Sequence, residues 1–389
     1  MTVRPTSVAS STRILVGSLG LVAYTFAGYP ALMALLSRLR PRPVETSQEV
    51  RPKVSIVVAA YNEEDVIVSR LENLRASAYP VELIELIVAA DGSQDRTVAR
   101  AQSVPGTIVL HRPERLGKLA AIGHAWEVAS GDILVVTDAN NKFAPETLRE
   151  LTAPFADGEV GVVTGRKAID DGTGRPLDRA EGVYWRYESK LKEWETTVGS
   201  VPAVAGEILA FRRAAFQVPD EPLLTEDFAQ AMLAALDGWR VVYAPRALSM
   251  ESASATVGDE AVRRARLVTG RWQALLMLLP PLLLRRPWFA LQLISHKGLR
   301  PLVPAMLVTA ASSNLVAARQ SGWPRWILGG HLAMYIAALL GWRNERRGTR
   351  NRWLFLPYYF LRMNLATLAG ARNFIRNREA AQWTKVARG

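Results

Sequence analysis

The stretch GDILVVTDANN, residues 131–141, decides how this chain folds. Ile133 to Val136 is an unbroken apolar run, as expected of a strand buried on both faces of a parallel sheet. It stops abruptly at Thr137-Asp138-Ala139-Asn140-Asn141, a cluster that favours turns and supplies oxygen ligands. An Asp at the carboxyl end of such a strand lies where open α/β sheets hold their ligands. Asp138 and Asn140 can both face one hard cation, and Mg²⁺ or Mn²⁺ takes oxygen ligands of this kind. Taken alone, the stretch is as well explained by a strand closed with an Asx turn, so its surroundings must decide.

Composition removes several classes. The chain has 389 residues and no Cys, which excludes disulfides, thiolate zinc sites and Cys nucleophiles. Its four His fall at no metal-ligand spacing. The net charge of +12 would suit nucleic acid, but its distribution does not. Residues 53–270 hold 24 basic against 32 acidic side chains, whereas residues 1–52 hold 6 against 2 and residues 271–389 hold 18 against 2. The basic ends are also where the apolar runs lie. That is the pattern of an integral membrane protein with positive flanks and an acidic body, and no nucleic-acid partner is expected.

After an N-terminal tail (residues 1–13), Ile14 to Leu36 carries no charge over 23 residues, enough to span a bilayer as an uncleaved anchor. The Arg-rich linker behind it, residues 37–52, puts the downstream side in the cytoplasm, at the plasma (inner) membrane. From Lys53 strands and helices alternate, which argues a mostly parallel sheet. Val54 to Ala60 is a first strand, closed by Tyr61-Asn62-Glu63-Glu64. Leu83 to Ala90 is a second, ending in Asp91, and Thr107 to His111 a third. Arg115-Leu116-Gly117-Lys118 then opens a helix that leads into the 131–141 stretch. Two strands thus end in Asp91 and Asp138, and two such ends in successive units define a site.

Residues 53–270 resemble a family 2 glycosyltransferase with the A-type, Rossmann-like α/β fold. The resemblance rests on VSIVVAAYNEE (54–64), DGSQDRT (91–97), RLGKLAAI (115–122), GDILVVTDAN (131–140), GEILAFRR (206–213), TED (225–227) and DGWRVVYAP (237–245). With transmembrane helices on both sides it is similar to the membrane-embedded branch of that family, the cellulose synthase and poly-N-acetylglucosamine synthase type. The resemblance implies a cytoplasmic catalytic domain over residues 53–272 that takes a nucleotide sugar, of the UDP type, as donor. It implies a donor site of Ala60, Tyr61, Glu63, Asp91, Lys118, Asp138 and Ala139, with Asp91 towards base or ribose and Lys118 towards the pyrophosphate. Asp138 and Asn140 would hold Mg²⁺ or Mn²⁺. Asp227 would be the general base of an inverting transfer to a lipid-linked or growing glycan, with Glu226 beside it and Arg266 as the Arg of the acceptor motif. Thr225 with Glu226 and Asp227 also reads as a helix N-cap, and both roles can hold at once.

Two departures from the family pattern matter. The aspartate-X-aspartate signature reads Asp138-Ala139-Asn140, so a neutral carbonyl replaces one carboxylate and metal affinity should be weaker. The Gln-X-X-Arg-Trp motif of polymerising members reads Arg263-Arg264-Ala265-Arg266-Leu267. Its stacking Trp is lost, and Arg271-Trp272 is a decoy because Val268 stands where a Gln is needed. Addition of one or a few sugars is therefore expected over processive synthesis. A processive polysaccharide synthase, or a non-catalytic membrane component with a degenerate metal site, are the alternatives.

Downstream, residues 273–300 read as interfacial helices, because Ala274 to Leu284 is short and carries two Pro. Residues 301–318 and 326–342 read as a transmembrane hairpin. Residues 353–371, with Pro357, Arg362 and Asn364 inside, read as an interfacial or re-entrant segment in preference to a fourth span. The loop 343–352 with its five Arg and the basic tail 372–389 are expected in the cytoplasm.

Overall fold

The computed structural model describes residues 5–49, 51–170, 176–219, 223–252, 256–319, 322–349 and 351–376. Residues 1–4 of the N-terminal tail and the basic tail from position 377 lie outside the described residues. Among these residues, eight strands form one sheet: β1 Val54–Ala60, β2 Ile84–Asp91, β3 Thr107–Arg112, β4 Ile133–Asp138, β5 Lys142–Phe143, β6 Val160–Asp170, β7 Leu209–Arg212 and β8 Arg240–Ser252. Their order is β3-β2-β1-β4-β7-β6-β8-β5. The first four are parallel, β7 runs antiparallel to both neighbours, and β6 and β8 are again parallel. This is the mostly parallel A-type architecture.

Both faces of β1, β2 and β4 are covered, which explains their unbroken apolar runs. Val57, Ile87, Leu134 and Val136 pack on one side with the helices Lys118–Val128 and Glu226–Leu236. Ile56, Val58, Val88 and Val135 pack on the other, against the helix Ile67–Arg75. Strand order reverses beside β1, so the crevice where such sheets hold ligands opens between the carboxyl ends of β1 and β4.

Among the described residues, three helices are long and apolar enough to cross a membrane: Ala9–Leu39, Val257–Arg285 and Pro287–Ala317. The first carries a π-helical turn at Tyr24–Gly28. The expected boundary at 272/273 falls inside the helix Val257–Arg285, which Pro280 and Pro281 do not break. One stripe of its second half (Ala274, Leu275, Leu278, Leu282) packs into the sheet domain's core, while Leu276, Met277, Leu283 and Leu284 stay exposed. That amphipathic split is why the segment read as interfacial. Residues 326–342, expected as a span, lie in the helix Trp323–Arg346, which is not one of the three. Gly329, Gly330 and His331 lower its hydropathy. Residues 353–371, expected as an interfacial or re-entrant segment, lie within one helix, Arg352–Ile375, with Pro357 inside it, and this helix too is not one of the three.

This last helix is held by two glycines. A Cβ on Gly341 would lie 2.1 Å from the carbonyl oxygen of Leu354, and one on Gly370 would lie 2.4 Å from that of Ala265. Close backbone approach through small residues is the usual way helices pack in lipid. Gly341→Leu should therefore separate the Trp323–Arg346 and Arg352–Ile375 helices at a cost of about 1–3 kcal/mol. A thermal midpoint in detergent equal to that of the parent chain would contradict this packing.

Candidate active site

Register brings the site together. Ala60 pairs with Ala90 and Ala59 with Asp138, so Asp91 and Asp138 reach the same sheet edge on either side of Tyr61. Ala60, Tyr61, Asp91, Lys118 and Asp138 line one small pocket there. The loops are tied to each other rather than to solvent. Asn62, in the left-handed region with φ 52, receives the Gln94 N–H on its side-chain oxygen at 2.9 Å. Glu63 donates its backbone N–H to Thr97 Oγ1 at 2.7 Å. Its side chain is buried and does not line the pocket, and Ala139 is buried in the core behind the turn. Both were expected in the donor site; neither lines this small pocket.

Asp91, expected towards base or ribose, is tied to the turn before Lys118. Its two carboxylate oxygens accept the backbone N–H groups of Leu116 and Gly117 at 2.8 and 2.7 Å. Gly117 has φ 97, a conformation that side-chain-bearing residues rarely adopt, and the Lys118–Val128 helix starts directly after it. Asp91 thereby sets where Lys118 begins its helix. Lys118 Nζ donates to Asp138 Oδ1 at 2.8 Å and lies 3.3 Å from Glu226 Oε1. Burial works against its charge, but Asp138, Glu226 and Asp227 outweigh that and hold the ammonium firmly protonated.

Behind Asp138, the guanidinium of buried Arg70 donates to Thr137 Oγ1 at 2.7 Å, and Thr137 donates to the Glu207 carbonyl at 2.8 Å. Asn141 donates to the same carbonyl at 3.0 Å. These bonds lock the turn after β4 against the segment that carries Gly206 and Glu207. Asn140 Oδ1 is buried and accepts no hydrogen bond among the described residues. Asn140 was expected beside Asp138 at a cation, but it lines neither of the pockets that Asp138 lines, and no group of three or more acidic or His side chains that could hold a metal occurs among the described residues. The Asp138 carboxylate at this edge fits Mg²⁺ or Mn²⁺, which commonly take one or two protein oxygens and complete their shell with phosphate and water.

Asp227 enters from the start of the Glu226–Leu236 helix. The capping expectation fails here: Thr225 makes no side-chain cap bond, and its hydroxyl oxygen is buried without a partner among the described residues. A helix N-terminus favours an ionised carboxylate at Asp227. Burial and the adjacent Glu226 carboxylate instead push its pKa up to about 7, and Lys118 and the Phe228 N–H offset only part of this. A carboxylate balanced near neutrality suits a general base. Its oxygen occupies space that only a glycine opposite allows, since a Cβ on Gly206 would lie 2.5 Å from Asp227 Oδ2.

Asp138, Lys118, Glu226 and Asp227 open into a cavity of about 990 Å³ that continues to the membrane helices. Arg266 lines it from the helix Val257–Arg285. Trp272 stacks on Phe374, with ring centroids 6.4 Å apart, and does not line the cavity. Four other residues were not expected as site members. Arg115 lies 3.6 Å over the Tyr61 ring, and Glu207 meets Lys167 at 3.3 Å. Lys167 also pairs with Glu251, and Trp185 lines the cavity with it. Arg115 and Glu207 stand inside quoted motifs and were within reach; Lys167 and Trp185 sit where the sequence offers no motif.

Residues 55–218 match the glycosyl transferase family 2 model. It is 27% identical over 237 residues to a poly-beta-1,6-N-acetyl-D-glucosamine synthase of Staphylococcus aureus strain MSSA476, covering 57% of this chain and 55% of the relative. It is 28% identical over 226 residues to a beta-monoglucosyldiacylglycerol synthase of Trichormus variabilis, covering 56% and 48%. The chain thus spans about half the length of the curated relatives it matches. Among solved structures, a mannosyltransferase from Pyrobaculum calidifontis in complex with GDP-Man and Mn²⁺ superposes with a TM-score of 0.69 at 24% identity, covering 94% of this chain and 100% of that one. The fold is therefore that of A-type glycosyltransferases.

The Gly206 contact yields a test. Gly206→Ala should displace the Asp227 carboxylate and cut turnover by roughly tenfold to a hundredfold, as misplacement of a reacting group does. Nucleoside diphosphate affinity, measured by calorimetry, should stay unchanged. Unaltered turnover would remove Asp227 from the chemistry.

Proposed function

We propose that this chain transfers a sugar, with inversion, from a nucleotide sugar to a hydroxyl of a lipid-linked or growing glycan at the cytoplasmic membrane face. The observation that carries this reading is Asp227, its pKa near 7, facing the same cavity as the Lys118–Asp138 pair. On this reading Tyr61 and Asp91 frame the nucleoside, and Lys118 turns its ammonium to the diphosphate. A cation held by Asp138 and Asn140 would, when bound, neutralise charge on the departing diphosphate. Asp227 takes the acceptor hydroxyl proton as the new bond forms from the opposite face, so that no covalent intermediate is needed. The pocket for the donor and the base for the acceptor lie on different elements, which lets each be filled separately.

Processive synthesis is the second reading, and one contact favours it. Trp185 lines the cavity and offers an aromatic face to a sugar, although the motif Trp of polymerising members is absent. The Staphylococcus aureus relative is itself named as a polymer synthase. Product length decides between the two. Loss of the second carboxylate at Asn140 would favour a non-catalytic component, but the retained Lys118, Asp138 and Asp227 argue against it.

The test is nucleotide release by purified protein in detergent against a panel of nucleotide sugars, with Mg²⁺ or Mn²⁺ and with chelator. One donor should be consumed only with cation; no release from any donor would end the proposal. Asp227→Asn should lower turnover at least about a hundredfold with donor affinity unchanged. The pH profile follows in sign. Below about 7 the carboxyl is protonated and cannot accept a proton, so turnover should fall on the acid side with a midpoint near that value. A flat profile between pH 5.5 and 8 would contradict the assignment.

Orientation follows from the Arg-rich turn after Arg346. A Cys placed at position 347 should resist an impermeant reagent in intact cells and react after lysis. Labelling in intact cells would place that turn outside.

A further inference from the structure

The membrane end of the cavity takes no part in the chemistry proposed above, yet it gathers several buried cations. Lys192, Arg264, Arg271, Lys297 and Arg300 line it, and the carboxylate among them is Glu188. Glu260, also on the wall, is paired with Arg263 at 2.7 Å. Among the described residues, Glu188 meets Lys297 at 2.8 Å and pairs with Arg300. Arg271 is within electrostatic reach of both Arg264 and Arg300, so like charges are gathered rather than dispersed.

Arg300 is 8% exposed, and its Nε and Nη2 have no acceptor among the described residues; neither has the Nε of Arg264. A guanidinium stays charged in proteins, and a buried donor fork without an acceptor is costly. The planar fork matches phosphate oxygens two at a time. Beside these cations the helix Arg352–Ile375 presents Phe355, Leu356, Tyr359 and Phe360 to the same cavity. A pocket that is cationic at one wall and aromatic-aliphatic at the next suits a molecule with an anionic head and an apolar chain.

We propose that this end of the cavity binds the phosphate or diphosphate of a lipid, with the lipid chain leaving along the Arg352–Ile375 helix. The headgroup would then anchor the acceptor and leave its sugar hydroxyl to Asp227. Only that last step rests on the glycosyltransferase reading; the anion site stands on its own contacts.

The test uses the full chain in detergent and three probes: farnesyl diphosphate, farnesol and inorganic pyrophosphate, each titrated by calorimetry with saturating nucleoside diphosphate present. Farnesyl diphosphate should bind at least about tenfold more tightly than either other probe. Arg264→Gln and Arg271→Gln should each weaken it about tenfold, the scale of one hydrogen bond to a charged group, without changing nucleotide affinity. Equal binding of farnesol would reduce the site to an apolar groove, and equal binding of pyrophosphate to a site for soluble anions; either overturns the proposal. So does indifference to both Arg substitutions. The comparison of the three probes on the unmodified chain needs no variant to fold. Absence of nucleotide-sugar turnover alongside intact farnesyl diphosphate binding would sink the transfer reading and support this site; the reverse would sink this site alone.

Discussion

Four carboxylates crowd one edge of the sheet, and the rest of the structure is arranged around keeping them there. Asp138, Glu207, Glu226 and Asp227 come from β4, from the segment before β7 and from the start of one helix, and two buried lysines answer them. Gathering like charges in a low-dielectric site raises proton affinity unless cations are close. Lys118 and Lys167 supply that compensation unevenly. Lys167 holds Glu207 below the usual carboxylate range despite burial, whereas Asp227 is left near neutrality. One carboxylate is thus committed to an ion pair and another remains able to exchange a proton.

This crowding explains much of the surrounding architecture. Asp91 fixes the turn that sends Lys118 into its helix, and Arg70 with Thr137 fixes the strand end that carries Asp138. The membrane helices are joined to the same cavity through Tyr29, which donates to Glu195 at 2.6 Å, and through the bonds of His296 and Lys297 to the Pro176–Val198 helix. Changes in the membrane segments can therefore reach the acceptor side of the cavity through packed, hydrogen-bonded elements rather than through flexible linkers.

The sheet was legible because its signal is local. An apolar run ending in Asp or Asn is visible at Val54 to Tyr61, at the strand before Asp91 and at 133–141, and register then carries all three to one edge. Asp227 was reachable from its TED block, but its ionisation was not, since burial against Glu226 and Gly206 is a tertiary fact. The Pro176–Val198 helix was not legible. Its Glu188, Lys192 and Glu195 face buried partners, so its polar face looks solvated in sequence although it is an interior seam. The same ambiguity affected Ala274 to Leu284, where an apolar stripe meant for the domain core resembles one meant for lipid. Charge inside 353–371 suggested an interfacial or re-entrant segment, whereas small residues at Gly341 and Gly370 let one continuous helix pass close to its neighbours.

The central claim is that the edge between β1 and β4 is a diphosphate-nucleotide site completed by a divalent cation. It is tested most directly by titrating UDP and GDP into the purified chain with and without Mn²⁺, for the parent, Asp138→Ala and Asn140→Ala. If Asp138 and Asn140 are the cation's protein donors, as proposed, cation and nucleotide must each strengthen the other's binding. The account predicts at least about tenfold tighter nucleotide binding with Mn²⁺ in the parent, a coupling abolished by Asp138→Ala and weakened by Asn140→Ala. Nucleotide affinity that ignores Mn²⁺, or coupling that survives the loss of Asp138, would contradict it.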